Sequence, residues 1–421
     1  MQEQLRLWLS ARAPETVAFL SRLIQAASTS GHEREAQELM ATKLRNLAME
    51  VDVWEQGGDD LLAHPYFCSP RKDFTGSPNV VGVLRGTGGG RSLIINGHID
   101  VVPPGELSAW SESPWSGCHT EGKVYGRGAT DMKGGTVAAI LAVEALLALG
   151  VRLRGDVIIE SVIEEESGGS GTLAAILRGY RADAALVPEP SGMAIYAQQQ
   201  GSMWFRVTVE GRVAHGGTRY EGVSAIEKSV AVLKRIEELE YNRNLRWKDD
   251  PLYRGVPIPV PINVGRINGG SWPSSVPDLV TIEGRMGVAP GEEMESARKE
   301  FEESIAALQE ADPWFAGHPA RVEWFGAQWL PGGIDLDHPI IQYLTDSYGQ
   351  VMGVQPEIKA SPWGTDGGLL TQVGGIPTVV IGPGVTNVAH YPNEYIEVQS
   401  ILQAAEVFAL TIMKWCGVSD R

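Results

Sequence analysis

Between residues 79 and 189 four short aliphatic runs, NVVGVLRG, SLIINGHID, DVIIESVIEEE and AALVPEP, alternate with helical sequence, and the last three close on polar or acidic residues. Short β-branched runs read as strands, and strands alternating with helices imply a largely parallel α/β sheet. The helix between the second and third runs is TVAAILAVEALLALG, closed by Gly150 just past its end. Open α/β sheets carry their sites at the carboxyl ends of strands. That rule brings together His98, Glu165 and Glu189, each of which follows an apolar run. Upstream, residues 14–49 read as two amphipathic helices broken by STSGH at 28–32. The GTGGGRS stretch at 86–92 lacks the GK[ST] ending of a phosphate loop and reads as a hairpin turn.

Near residue 200 the pattern changes. SMWFRVTVEG alternates as a strand, residues 223–241 read as a helix, and PIPVPINVGRI and DLVTIEGRMGV read as two further strands. A helix, EEMESARKEFEESIAALQ, and a last strand, ARVEWF, complete a βαββαβ order, which is a self-contained α+β unit. The polar segment YNRNLRWKDDPLYRG reads as a loop within it. The first texture then returns with IPTVVIGPG and a closing helix near QAAEVFALTIMKW. A chain of 421 residues exceeds what one core usually serves. The expected organisation is a first domain of residues 1–199 and 329–421, interrupted by a second domain of residues 200–328.

A net charge of −17 argues against nucleic acid and anionic membrane as partners. No apolar run reaches the length of a membrane span. The three cysteines, Cys68, Cys118 and Cys416, lie too far apart for a CxxC metal site, and their odd number does not suit a disulfide framework. A reducing compartment fits them, and the N-terminus lacks the apolar stretch of a signal peptide, so the expectation is a cytoplasmic protein. The fifty glycines cluster where the acidic and histidine motifs lie, which suggests tight turns around a site.

Five segments could carry chemistry. In GHIDVVPPG, His98 and Asp100 fall on one face of an extended chain, where a carboxylate can accept the far ring N–H of a metal-bound imidazole. Read alone, a histidine such as His98 is more often a hydrogen-bonded buried residue than a ligand. In GRGATDMKGG, Asp131 precedes a long helix and is either its N-cap or a ligand. IEEESGGSGT sets three glutamates after a buried strand. At a surface such a run is merely solvated, whereas inside a cleft it requires cations as partners. PEP adds Glu189, and NVAHYPNE adds His390 on a loop. Mixed histidine and carboxylate donors suit zinc, and a shared aspartate suits a pair of metal ions. The other histidines, His32, His64, His119, His318 and His338, read as structural or surface residues.

In this order, GHIDVVP, GRGATDMKGG, EEESGGSGT, the PEP turn and AHYPNE resemble the family of dinuclear zinc hydrolases that includes acetylornithine deacetylase, succinyl-diaminopimelate desuccinylase, aminoacylase and glutamate carboxypeptidase. The resemblance runs from about residue 15 to the end of the chain. It implies a zinc-peptidase-like mixed sheet flanked by helices, with an inserted ferredoxin-like lid and dimerisation domain. It implies two Zn2+ per chain, with Co2+ or Mn2+ as substitutes that the same ligands permit. Asp131 would bridge both metals, His98 and Glu189 would complete one site, and Glu166 and His390 the other. Glu165 would be the general base, and Asp100 the partner behind His98. The peptide bond Asp131–Met132 would be cis. Glu164 stands where the family often has aspartate.

In the inserted domain, GRVAHGGTRYEGVSAI implies that His215 reaches into a partner subunit's site to bind the oxyanion. Arg285 would grip a substrate carboxylate, a group its planar fork matches. Asn263, Gly364 and Thr365 would line the same substrate site. Ser274 and Trp363 depart from the family pattern. The activity implied is removal of an acyl group from an N-acyl amino acid or related small molecule, by a homodimer joined through the lid. A dipeptidase or carboxypeptidase, or a hydrolase of another C–N bond such as a formamide or aryl amine, shares the same centre. A non-catalytic binding protein on this fold would be expected to lack Glu165 or a ligand, and neither is missing.

Overall fold

The aliphatic runs pair as the middle of one large sheet. The computed structural model describes residues 1–419, which divide into two compact units. The first comprises Met1–Gln198, Gly332–Lys359 and the chain from Thr365 onward; the second comprises Gln199–Pro331 and Ala360–Gly364. The short return of residues 360–364 to the second unit has no counterpart in the sequence pattern.

The first unit is built on a nine-stranded mixed sheet. Its main path runs Glu50–Glu55, Pro78–Leu84, Val157–Val162, Leu93–His98, Ala184–Val187, Thr378–Val380, Ile195–Gln199 and Gly332–Gly333. The central strands Val157–Val162, Leu93–His98, Ala184–Val187 and Thr378–Val380 are mutually parallel. Glu50–Glu55 and Pro78–Leu84 pair antiparallel with each other, Pro78–Leu84 pairs antiparallel with Val157–Val162, and Ile195–Gln199 is antiparallel to Thr378–Val380. The parallel reading therefore holds for the middle of the sheet and fails at its sides. The parallel strands Val157–Val162, Leu93–His98 and Ala184–Val187 are buried along their whole length, which is why they read as unbroken apolar runs.

The helix Gly134–Ala148 is buried on nearly every side and packs against the long helix Val398–Cys416. A helix this apolar all round can only be an inner layer. Its entry needs glycine: a β-carbon on Gly135 would lie 1.9 Å from the Pro188 carbonyl oxygen. The absence of a side chain there lets the helix start come up against the Pro188–Glu189 strand end. A first helix, Gln2–Ala11, precedes the region read as helical.

The 86–92 stretch is not a hairpin. The strands it joins, Pro78–Leu84 and Leu93–His98, are separated in the sheet by Val157–Val162. The glycines instead carry the chain across the end of that strand, so close to other backbone that a β-carbon on Gly90 would meet the Cys416 carbonyl oxygen at 2.0 Å.

The second unit has a four-stranded antiparallel sheet in the order Ile262–Gly269, Leu279–Val288, Gly201–Glu210, Arg321–Trp329. The alternation along Gly201–Glu210 buries Phe205, Val207 and Val209. On that face Phe205 meets Phe301 of the helix Met294–Ala306 with ring centroids 4.6 Å apart. The helix Ala225–Asn244 is capped by Ser224, whose hydroxyl accepts the Glu227 N–H. It runs four residues into the segment read as a loop. Among the described residues no helix is long and apolar enough to cross a membrane.

Candidate metal centre

Because the central strands are parallel, their carboxyl ends share one edge of the sheet, and the chemistry-bearing residues follow directly. Leu93–His98 ends on His98, Val157–Val162 runs into Glu164–Glu166, and Ala184–Val187 into Glu189. Asp131 stands in a kinked segment just before the helix Gly134–Ala148, with Lys133 rather than Asp131 at the helix cap. The Asp131–Met132 peptide bond is cis. His390 comes from the loop after Thr378–Val380, with a left-handed backbone at φ 65°.

These side chains meet. His98 Nε2 lies 3.3 Å from Asp131 Oδ1 and 3.6 Å from Glu189 Oε1. His390 Nε2 lies 3.2 Å from Asp131 Oδ2 and 3.2 Å from Glu166 Oε1. Asp131 thus offers one oxygen to each imidazole. Donor atoms of His98, Glu165 and Glu189, and of His98, Asp131 and Glu166, each fall within 4.8 Å of one another, so both groups could hold a metal ion.

Asp100 supports His98 with a different atom from the one expected. His98 Nδ1 lies 2.8 Å from the Asp100 backbone carbonyl, whereas the Asp100 carboxylate stands 3.7 Å away. A carbonyl only accepts, so Nδ1 carries the hydrogen and a neutral ring presents a bare lone pair at Nε2. The Asp100 carboxylate is occupied elsewhere, accepting the backbone N–H of Glu165 at 3.3 Å and of Glu166 at 3.2 Å. It orders the glutamate turn while its own carbonyl orients the imidazole.

His98 Nε2 is fully buried and makes no hydrogen bond. A buried lone pair facing carboxylate oxygens is tenable only with positive charge between them. A divalent cation supplies that charge, and the donor set of imidazoles and carboxylates suits one. Without metal, protons must do so. Burial lowers the His98 pKa, but Glu189, Asp131, Asp100 and Glu165 outweigh it and hold the ring well above its usual value. His390 is pushed up to about 11 by Asp131 and Glu166. Burial raises Glu165 and Glu189, and their carboxylate neighbours raise them further. Asp131 goes the other way: burial raises it, yet the two imidazoles bring it below the ordinary range.

Glu164, the first glutamate of the run, faces away from the cluster into a buried cage of hydroxyls and a guanidinium. Burial raises its pKa, and hydrogen bonds from Ser69, Ser30, Arg71 and Ser167 lower it further than burial raises it.

Two residues that the sequence reading passed over hold the centre together. The Glu394 carboxylate accepts the backbone N–H groups of Thr130 at 2.9 Å, Asp131 at 3.1 Å and Gly128 at 3.1 Å. It also accepts Arg127 Nη1 at 2.7 Å, and Arg127 Nη2 donates to the His390 carbonyl at 3.2 Å. One buried ion pair therefore joins the segment bearing Asp131 to the loop bearing His390. The available signal was a single unassigned charge, of opposite sign, inside each of the two motifs GRGATD and AHYPNE.

In the second unit, Asn263, Arg285 and Trp204 are direct cross-strand partners and so share one sheet face. Burial lowers the Arg285 pKa to about 10, and among the described residues it forms no ion pair. His215 is exposed, and its Nδ1 accepts the Gly217 N–H at 3.1 Å. Gly364 belongs to the second unit and Thr365, buried, to the first. His32, His64, His119, His318 and His338 take no part in the metal-ligand groups.

The class that this sheet edge and this donor set define is the metal-dependent hydrolases. Residues 94–414 match the model of peptidase family M20/M25/M40, and the chain belongs to that family. It is 32% identical, over 98% of its length and 97% of the relative's, to an N-formyl-4-amino-5-aminomethyl-2-methylpyrimidine deformylase of Halalkalibacterium halodurans. It is 27% identical to a succinyl-diaminopimelate desuccinylase of Leptothrix cholodnii, over 94% of this chain and 98% of that one. The fold is shared with the di-peptidase Dug1p of Saccharomyces cerevisiae, at TM-score 0.76 and 14% identity, covering 100% of this chain and 99% of that structure. The chain is a hydrolase of amide bonds in a family that depends on metal.

Proposed function

We propose that this protein uses two zinc ions to remove the acyl group from a small N-acyl compound, with Asp131 shared between the metals, His98 and Glu189 completing one site, and Glu166 and His390 the other. The observation that carries the reading is Asp131, which offers one oxygen to each of two imidazoles while His98 Nε2 stays buried without a hydrogen bond. Cobalt or manganese would suit the same donors. Bound divalent ions lower the pKa of a coordinated water and polarise an amide carbonyl.

The remaining work belongs to side chains. Glu165, buried beside His98, takes the proton of the attacking water and hands it to the departing amine. Burial raises its pKa above the ordinary carboxylate range, the direction that favours holding and passing on a proton. Asp100 keeps the His98 tautomer and the Glu165–Glu166 turn in register.

In the second unit, the Arg285 guanidinium, half-buried and without an ion-pair partner among the described residues, binds an anionic group of the substrate, with Asn263 as its cross-strand neighbour. His215, whose Nε2 has no partner among the described residues, binds the developing oxyanion in the site of a second copy of the chain. The homodimer would form through this unit, which exposes Val213, Tyr220, Ile226, Val230, Trp272 and Leu279. The three scattered cysteines fit a reducing compartment, and with it a cytoplasmic protein.

Within the N-acyl class, an N-formyl amine is the first substrate to try. The deformylase relative aligns over almost the whole of both chains at 32% identity, whereas the desuccinylase stands at 27%. The test is metal content together with hydrolysis of N-formyl, N-acetyl and N-succinyl amines, amino acids and dipeptides, before and after chelation. About two metals per chain and chelator-sensitive cleavage of one acyl class is the expected result. No bound metal, and no activity on adding zinc, cobalt or manganese, overturns it.

A further inference from the structure

The loop between the helix Asp59–Leu62 and the strand Pro78–Leu84 carries none of the cluster residues, yet one guanidinium from it holds two buried carboxylates at once. Arg71 Nε donates to Glu164 Oε1 at 2.7 Å and Nη2 to Glu33 Oε1 at 2.8 Å. Its Nη1 donates to Ser77 Oγ at 2.9 Å, and that hydroxyl donates on to Glu33 Oε2 at 2.6 Å. We infer that Arg71 is a positioning residue for the turn bearing Glu165 and Glu166, acting through the Glu164 carboxylate.

Glu164 is the hinge of that turn. Its backbone is left-handed, with φ 66° and ψ 23°, a conformation disfavoured for a residue with a β-carbon and therefore in need of an anchor. The anchor is its side chain, fully enclosed, with two donors on each oxygen. Oε1 accepts Ser30 Oγ at 2.8 Å beside Arg71, and Oε2 accepts Ser69 Oγ at 2.5 Å and Ser167 Oγ at 2.8 Å. That fills the hydrogen-bonding capacity of a carboxylate. The Glu164 carbonyl accepts the Gly169 N–H at 2.7 Å, closing the turn. The next two N–H groups, of Glu165 and Glu166, point to the Asp100 carboxylate. The turn is thus clamped on one side by Asp100 and on the other by Arg71 and three serines. An aspartate here would withdraw the carboxylate by about 1.5 Å, one C–C bond, from all four donors. The longer residue and the bridging arginine form one device. Lysine, with a single ammonium in place of the fork, cannot span both carboxylates.

The inference rests on the proposed hydrolase reading in taking Glu165 and Glu166 as working groups. The test compares the metal-loaded wild type with Arg71→Lys and Arg71→Ala. The readouts are kcat and KM, zinc affinity by chelator competition, and amide exchange of residues 164–169. In Arg71→Lys, kcat should fall roughly 10–100-fold with KM within about threefold, and zinc affinity should weaken by a similar factor. Exchange at 164–169 should accelerate about tenfold while the central strands stay protected. Added guanidinium should restore part of kcat to Arg71→Ala. A folded Arg71→Lys with wild-type kcat, zinc affinity and exchange overturns the inference. So does a kcat loss accompanied by uniformly faster exchange, which marks general destabilisation. If the wild type neither binds metal nor cleaves amides, the hydrolase reading falls separately, and exchange at 164–169 still decides whether Arg71 holds the turn.

Discussion

Replacing Glu394 by glutamine changes one oxygen to an amide nitrogen at the point where the two metal-bearing segments join. The native carboxylate accepts three backbone N–H groups and Arg127. Side-chain exposure is 2% for Arg127 and 0% for Glu394, so water cannot replace what is lost. Glutamine keeps one acceptor, enough for the Thr130 and Asp131 N–H groups. Its NH2 then faces two donors, Arg127 Nη1 and the Gly128 N–H. Removing one member of a buried ion pair costs about 3–5 kcal/mol, most of it the guanidinium left without a counter-charge. At a urea slope of about 3 kcal/mol per molar, the unfolding midpoint of the metal-free protein should drop by roughly 1–1.7 M. Because Arg127 also holds the His390 carbonyl, zinc affinity should fall about 10–100-fold in the same variant. Glu397→Gln, at an exposed position three residues on, serves as the control and should stay within about 0.5 kcal/mol. An unchanged midpoint and an unchanged zinc affinity in Glu394→Gln would refute the claim that this ion pair joins the two segments.

Three further outcomes follow from the centre. Glu165→Ala should retain its metal and lose about 10²–10⁴-fold in turnover; a metal-loaded variant that remains active removes Glu165 from the mechanism. Metal uptake should release at least about one proton per ion at neutral pH, and affinity should rise with pH, because His390 is held at about 11 and His98 above its usual value until metal displaces their protons. Titration in weak buffer with no proton release would contradict the protonated cluster. Glu160 lies away from the ligands and accepts Asn96 Nδ2 at 2.8 Å. Burial, aided by Asp366, raises its pKa from 4.5 to about 7, although the Asn96 hydrogen bond opposes the shift. A carboxyl raised on folding contributes its stability below the unfolded pKa and loses it as pH rises through the folded one. That loss amounts to about 3 kcal/mol between pH 4.5 and 7. Glu160→Gln should therefore be the more stable protein at pH 8 and about equal at pH 4; equal stability at both would show that Glu160 ionises without penalty.

The segments that could be read from the sequence are those whose cause is local. A strand buried on both faces is written as an unbroken apolar run, and the residues after it mark the sheet edge, so the chain alone groups His98, Glu165 and Glu189. The inner helix Gly134–Ala148 declares itself because no polar stripe interrupts it. The chain is silent where the partner is remote or is backbone. The glycine stretch at 86–92 looks like a hairpin until Val157–Val162 inserts between its two strands, and nothing within those seven residues encodes the insertion. The sequence spacing of His98 and Asp100 is compatible with either a carboxylate or a carbonyl behind the imidazole. The choice went to the carbonyl because the carboxylate is claimed by two N–H groups more than sixty residues away.

The supporting residues are not legible in the chain in the way the cluster is. Ligands are confined to a few residue types and to strand ends, so a short list of candidates can be drawn up from one chain. A support has no such restriction. Arg127 meets Glu394 across 267 positions and Arg71 meets Glu164 across 93, and either arginine alone reads as an ordinary surface charge. What identifies them is the obligation that every buried charge and every buried N–H find a partner. The left-handed Glu164, the kinked segment at Asp131 and the exposed loop at His390 each need an anchor outside themselves. In each case the anchor is a charged side chain placed opposite the segment that needs it. The residues that set the precision of the centre are therefore found by accounting for hydrogen bonds in the folded chain, and Glu394 and Arg71 are where that accounting makes its strongest demands.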